Sequence, residues 1–267
     1  MRLGNAPSQT VVRVNSSFDF KVSVQKGIDW VEVPSASKEE GVLLVLKENK
    51  TGNPRACQLV VSTNEGRKFF YYVYQYEASD LLGAWESSQI YVKWDKKKID
   101  KAYSLSATEV TKDAEGDGYT LKMSLAGTPV AQYLKDPSKA TISLQATYED
   151  GAFVVPIGAA QKDFILTQEV DETANSRTAD NTALEEEVVL QTLYGFSVAA
   201  SSNIYAKGNF GFAPLLYQDG SVGMSYQDVT GAPESGCYLA IALFDGQQFS
   251  TAALKDYILF PDIALFK

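Results

Sequence analysis

Phe69-Phe70-Tyr71-Tyr72-Val73-Tyr74-Gln75-Tyr76 is aromatic or branched at every position but Gln75. That composition predicts a β-strand. Side chains alternate across a strand, so Phe69, Tyr71 and Val73 share one side while Phe70, Tyr72, Tyr74 and Tyr76 share the other. A single small core takes only one of these faces. The other needs a partner: a second domain, another protein, or a ligand such as a sugar.

Upstream of this run the chain reads as short strands separated by turns. Val11 to Val14 is one, Phe18-Phe20-Val22-Val24 alternates, and Trp30-Val31-Glu32-Val33 follows and stops at Pro34. Val42 to Leu46 is continuous and apolar. After the polar turn Asn49 to Pro54, Cys57, Leu59 and Val61 alternate with Ala56, Gln58 and Val60. Asn64-Glu65-Gly66 then turns into the aromatic strand. Strands at this spacing predict an immunoglobulin-like β-sandwich over residues 1–78, with Glu77-Ala78-Ser79-Asp80 as the linker.

Residues 79–267 are also mostly strand. Ile90-Val92-Trp94, Tyr103-Leu105-Ala107, Tyr119-Leu121-Met123-Leu125 and Ile142-Leu144-Ala146-Tyr148 each place apolar side chains on alternate positions. Asp150-Gly151, Asp219-Gly220 and Asp245-Gly246 are hairpin turn dipeptides. Pro156, after Val154-Val155, marks an edge or bend. Gln168 to Asn181 reads as a polar acidic loop, and Leu184 to Leu193 as a short helix with Glu185, Glu186 and Glu187 in its first turn. The fold class is all-β: the sandwich, then a larger antiparallel barrel or β-sandwich.

Composition narrows the chemistry. The chain has 267 residues, 45% of them hydrophobic, enough for two cores. Its formal charge of -9 opposes phosphate backbones. The one basic cluster, Lys96-Lys97-Lys98, is interleaved with Asp95 and Asp100 and reads as a solvated turn, so no nucleic-acid partner is expected. Histidine is absent, which removes Ser-His-Asp, Cys-His and His-metal chemistry together. Cys57 and Cys237 form no Cys-x-x-Cys pair and read as small core residues. No apolar run reaches the roughly 18 residues of a membrane span, and Met1 to Val14 has no long apolar segment of a signal peptide.

The order Trp30-Val31-Glu32-Val33, then Asn53-Pro54-Arg55-Ala56-Cys57-Gln58-Leu59-Val60-Val61, then Val73-Tyr74-Gln75 resembles the BACON domain, an immunoglobulin-like module common in Bacteroidetes. That family's pattern has a Trp before alternating apolar residues, an Arg opening the penultimate strand and a closing Val-x-Gln. The resemblance covers about the first 75 residues. It implies an exported protein of the cell envelope, at the outer-membrane surface or in the periplasm, with carbohydrate or mucin binding or a spacer role. Aligning Val73 and Gln75 with that ending puts Phe69 and Tyr71 inward and leaves Phe70, Tyr72, Tyr74 and Tyr76 outward. Leu82-Gly83-Ala84-Trp85 resembles the opening Gly-x-Trp of lipocalin-like barrels, and Tyr148 to Gly158 resembles a hairpin of lipocalin-like surface proteins of Bacteroidetes. No ligand residues carry over from the second match.

Other constellations have ordinary explanations beside the functional ones. Asp113-Ala114-Glu115-Gly116-Asp117-Gly118 imitates the start of an EF-hand loop, but Ser124 stands where the bidentate Glu belongs, so it reads as a hairpin turn. Ser35-Ala36-Ser37-Lys38 has the Ser-x-x-Lys spacing in a polar loop without partners. Asn15-Ser16-Ser17 and Asn49-Lys50-Thr51 fit glycosylation sequons. No pair of carboxylates is singled out for glycoside hydrolysis. Trp85, Tyr91, Trp94, Tyr205, Phe210, Phe212, Tyr217 and Tyr226 read as core first and as cavity walls second, with Phe210 and Phe212 set apart by Gly208 and Gly211.

The expected function is therefore non-enzymatic binding at the cell surface, with no metal, no cofactor and no catalytic residue. The ligand is a glycan or other small molecule on Phe70, Tyr72, Tyr74 and Tyr76. In the alternative, the first domain is a spacer supporting a second domain that contacts another surface protein. A strand just before a linker packs readily on the next domain, so the outward face reads as a seam before it reads as a sugar platform. A lipid anchor would lie outside this chain, and the oligomeric state stays open.

Overall fold

The computed structural model describes residues 1–134, 136–156, 188–195, 210–228, 236–244 and 254–267. The chain forms two compact units: Met1–Leu82 with Pro214–Gly223, and Gly83–Ala213 with Met224–Lys267. Among the described residues the structure is all-β, and helix occurs only as short 3-10 turns.

The first unit is a two-sheet sandwich of seven strands: β1 (Arg2–Leu3), β2 (Ser8–Val12), β3 (Phe20–Val24), β4 (Val31–Ser37), β5 (Gly41–Leu46), β6 (Arg55–Thr63) and β7 (Lys68–Gln75). One sheet has the order β1-β7-β6-β3 and the other β2-β5-β4. This is the strand order of an immunoglobulin-like Greek key in which the first strand runs parallel to the last. Phe20, Trp30, Val31, Leu44, Leu46, Cys57, Leu59, Val61 and Val73 fill the space between the sheets. Burial pushes the Cys57 thiol up to about 11, with only slight relief from the Arg55 charge, so it is a core residue and not a nucleophile.

One expectation changes here. The strand at Trp30 runs on through Pro34 to Ser37, because the register shifts between Glu32 and Ser35 and the proline sits in that irregularity, on the edge strand, where a missing N–H costs least. Ser35 and Ser37 are therefore strand residues and not a polar loop. The segment at Glu77-Ala78-Ser79-Asp80 is an ordered 3-10 turn. Asp80 accepts from the Glu77 N–H at 2.8 Å and from the Asn5 amide at 2.6 Å.

The three motif positions that lie far apart in sequence meet in this sandwich. Arg55 lies over the Trp30 ring, 4.5 Å from its centroid, and donates to Gln75 Oε1 from Nε at 2.9 Å and from Nη2 at 2.7 Å. Gln75 is 0% exposed, and its Nε2 donates to the carbonyls of Gly4 (3.1 Å), Lys47 (3.0 Å) and Asn5 (3.4 Å). Arg55 adds a bond to the same Lys47 carbonyl at 2.8 Å. Buried Asn49 donates to Asn5, to the Asn53 carbonyl and to the Gln75 carbonyl. Its amide is held by the fold, so the sequon at Asn49 is a structural pin. One end of the sandwich is thus closed by a fully bonded polar network, the only form in which buried polar groups are not a penalty.

The second unit is built on a closed ring of strands. Its strands are β8 (Gly83–Ala84), β9 (Gln89–Trp94), β10 (Ile99–Ser104), β11 (Thr108–Lys112), β12 (Tyr119–Ser124), β13 (Thr141–Glu149), β14 (Ala152–Val155), β15 (Val188–Gly195), β16 (Phe210–Leu216), β17 (Val222–Asp228), β18 (Gly236–Phe244), β19 (Leu254–Phe260) and β20 (Ile263–Leu265), of which β16 beyond Ala213 and β17 before Met224 belong to the first unit. β8 and β9 are halves of one bent segment, as are β10 and β11. The two segments pair along their length, with Trp85 donating to Thr108 O at 2.8 Å and Leu105 to Ser88 O at 2.8 Å between the halves. From β11 the order continues β12-β13-β14-β16-β17-β20 and returns to β9. The sheet therefore closes on the segment where it began, an up-and-down barrel without a free edge along that path. β19, β18 and β15 extend from β9 beside it.

Alternate residues such as Ile90, Val92 and Trp94, or Ile142, Leu144 and Ala146, form the buried face. The turn Pro129–Tyr133, capped by Thr128, adds Val130 and sets Tyr133 edge-on to Trp94 at 5.2 Å. Asp150 and Gly151 have φ of 48° and 89°, as a two-residue hairpin turn requires. Gly211 is a glycine because a Cβ there would strike the Phe153 carbonyl, so the close approach is another strand. β14 is an internal strand that ends before Pro156, not an edge. Residues Val188–Leu193 are strand and not helix. Val188, Val189 and Thr192 are β-branched, and the eight residues of β15 pair in unbroken register with β18. The acidic loop 168–181, Tyr205, Gly208, Asp245-Gly246 and the side chains of Phe210 and Cys237 lie outside the described residues.

Replacing Gln75 with Leu should lower the stability of the first unit by roughly 3 kcal/mol or more, since Arg55 and several backbone carbonyls lose buried partners at once. Urea unfolding followed by far-UV circular dichroism checks this. A shift worth under about 1 kcal/mol would show that the network contributes little.

Candidate functional site

β7 is locked at one end and open at the other. The locked end begins at Val73, which is buried opposite Cys57. β1 pairs only with Tyr74 and Gln75, and Tyr76 donates its N–H to Leu3 O at 3.2 Å. The open end, Phe69 to Tyr72, is exposed at 47%, 54%, 48% and 41% in sequence order. Four consecutive exposed aromatics on one strand are a large departure from a soluble surface.

The expected outward set divides along this line. Phe70 and Tyr72 stand free on the outer face opposite Val60 and Gln58, and the Gln58 amide donates to the Tyr72 hydroxyl at 3.3 Å. Tyr74 is half-buried. Its hydroxyl accepts from the Leu216 N–H at 3.3 Å within the first unit, and burial raises its pKa, the Leu216 bond partly offsetting this. Tyr76 is only 4% exposed, with the Arg2 guanidinium 5.0 Å from its ring centroid. Phe70, Tyr72, Tyr74 and Tyr76 therefore do not make one accessible ladder.

The expected inward set also divides. Phe69 and Tyr71 do point to the side of Val73, but they are not covered. The second sheet has three strands against four, and β2 ends at Val12. The chain beyond it turns at Ser16, whose hydroxyl accepts from the Phe18 N–H at 3.1 Å. The sandwich consequently gapes along β7. Two adjoining cavities occupy the gap. One, of about 320 Å³, runs between Val12–Asn15 and Tyr71–Val73, with Val42, Leu44, Leu59 and Val61 at its floor. The other, of about 250 Å³, is lined by Phe18, Phe69 and Tyr71 together with Asn15, Ser16, Thr63 and Arg67. Val14, Asn15, Val61 and Tyr71 belong to both.

This cleft combines flat aromatic walls with amide, hydroxyl and guanidinium groups, the mixture that holds a ring bearing hydroxyls. Among the described residues neither cavity is lined by an aspartate or glutamate, so paired-carboxylate chemistry has no place in either. Asp113 to Gly118 forms the β11–β12 turn, where the Asp113 carboxylate accepts from the Thr120 hydroxyl at 2.7 Å. Among the described residues no group of three or more cysteines and carboxylates is placed to hold a metal ion. Of the second unit's aromatics, Trp85, Trp94, Phe212 and Tyr226 are buried, with Lys267 Nζ 5.3 Å from the Trp85 ring. Tyr91 is partly exposed and donates to Asp100 at 2.9 Å.

Sequence reading missed Arg13, Thr63 and Arg67, which have no motif, and gave Asn15 and Ser16 only as part of a sequon. Their role follows from where β2 stops. Comparison with family models, curated proteins and solved structures finds no match for this chain.

Nitration with tetranitromethane needs an accessible phenolate. Tyr71 and Tyr72 should react first at pH 8 to 9, Tyr74 more slowly because its raised pKa keeps its proton on, and Tyr76 last. Peptide mass spectrometry reads the order, and early labelling of Tyr76 would contradict the burial pattern.

Proposed function

We propose that the protein is a non-enzymatic, exported binding protein of the bacterial cell surface that takes glycan in the aromatic cleft of its first unit. The observation that carries this reading is Tyr71, half exposed and shared by two adjoining cavities of about 320 and 250 Å³. The larger falls at the lower end of small-molecule sites and the smaller just below it. The resemblance of Trp30, Arg55 and Val73-x-Gln75 to the BACON domain supports carbohydrate as the ligand class and the cell envelope as the location. The resemblance of Leu82–Trp85 to lipocalin-like proteins supports the same setting.

Relative to the sequence expectation, the binding face moves from Phe70, Tyr72, Tyr74 and Tyr76 to Phe69 and Tyr71. Phe70 and Tyr72 remain accessible on the other face. A spacer role for the first domain is the second reading, with the second domain contacting another surface protein. What favours it is that Trp30, Arg55 and Gln75 all serve the buried network.

A glycan array probed with the intact chain, followed by titration calorimetry on the bound glycans, separates these. Tyr71→Ala should weaken binding about tenfold or more, the loss typical of a central aromatic contact, while Phe70→Ala changes it little. An intact chain that binds no glycan would favour the spacer.

A further inference from the structure

We propose that the cleft selects anionic glycans, their charge a carboxylate or a sulfate ester, with Arg13 and Arg67 as the anchoring cations. This rests on the glycan reading above and narrows it. The chain as a whole is acidic, with a formal charge of -9, yet Arg13 lines the larger cavity, Arg67 the smaller, and among the described residues no carboxylate lines either. The first unit carries ten Lys or Arg against ten Asp or Glu, so the positive sign of the cleft is local to it.

Both guanidinium groups are available. Among the described residues Arg13 has no ion pair or side-chain hydrogen bond. Arg67 Nε stands 4.0 Å from Glu65, at the limit of an ion pair, with side-chain exposures of 68% and 49%. An exposed contact of that length contributes almost nothing and yields easily to a better acceptor. Elsewhere in the unit Arg55 is consumed by Gln75, Lys47 and Trp30, and Arg2 by Tyr76 and Glu77, so the cleft arginines are the ones left over.

They line the cavities from two segments, Arg13 from the one after β2 and Arg67 from the turn before β7. Tyr71, which they flank, faces both cavities. A pyranose lying on Tyr71 would present its substituents to one or both. A guanidinium offers two parallel N–H donors that match the spacing of oxygens on a carboxylate or sulfate, while its aliphatic stem lies on the apolar wall.

The test uses the intact chain and its Arg13→Ala/Arg67→Ala variant on an array holding neutral, sialylated, uronate-containing and sulfated glycans. Both side chains are exposed, so the variant should keep the wild-type melting temperature. The expected result is a preference of about tenfold or more for acidic over neutral glycans, abolished in the variant. Raising NaCl from about 0.05 to about 0.5 M should weaken acidic binding severalfold and leave neutral binding unchanged. The sialylated, uronate and sulfated arms tell which anion is preferred. Equal binding of neutral and acidic glycans overturns this proposal and leaves the glycan reading standing. A preference that survives in the variant also overturns it, since the selecting charge then lies elsewhere. Binding of no glycan at all overturns both.

Discussion

The bonding of the Gln75 side chain is the constraint on which the first unit depends. A buried primary amide has one acceptor and two donors to satisfy, and leaving any of them unpaired costs on the order of 1–3 kcal/mol. Here the acceptor takes both arms of Arg55, and the donors reach carbonyls of β1's extension and of Lys47. The network therefore ties together the first strand, the last strand, the end of β5 and the turn that follows it. Trp30 supplies a flat floor for the guanidinium, and burial lowers the Arg55 pKa.

Closing one end of a small sandwich so completely determines what happens at the other. β1 is short and is spent where the network is, at Tyr74 and Gln75. Beyond the Met1 nitrogen, which donates to the Tyr72 carbonyl at 2.8 Å, no strand covers Phe69 to Tyr72, and β2 stops before it can. Apolar area that could have been buried in the core remains in water, a cost that hydrophobic bookkeeping sets at about 25 cal/mol per Å². Such exposure confined to one strand end, facing a cleft rimmed with polar groups, is what supports the proposed binding role. The second unit solves its own edge problem differently, by returning β20 to β9 so that the ring closes.

Strands such as β3, β6, β9, β12 and β13 were legible in the sequence because alternation is a local property. Cys57, Leu59 and Val61 announce their shared face wherever the chain goes. The parity of β7 was legible for the same reason, and Phe69 and Tyr71 do lie on the side of Val73. What alternation cannot reveal is whether a facing strand is long enough to cover them, and here β2 is not. Of the helix expected at Leu184 to Leu193, Val188 to Leu193 are strand instead, because the local acidic start said nothing about a pairing partner roughly fifty residues away in β18. Arg13 and Arg67 were silent because an exposed arginine has no signature until a fold sets it beside an aromatic wall. Trp30, Arg55 and Gln75 were legible as a pattern, but their meaning, a structural network, needed the three-dimensional contacts.

Hydrogen exchange along β7, with and without a bound glycan pool, tests the central claim that this strand is locked at one end and a binding surface at the other. The account predicts slow exchange at Val73, Tyr74 and Tyr76 in both states, and fast exchange at Phe70 and Tyr72, whose N–H groups face the edge that β1 leaves uncovered, slowing when glycan is bound. Uniform protection along the whole strand in the free protein, unchanged by glycan, would contradict it.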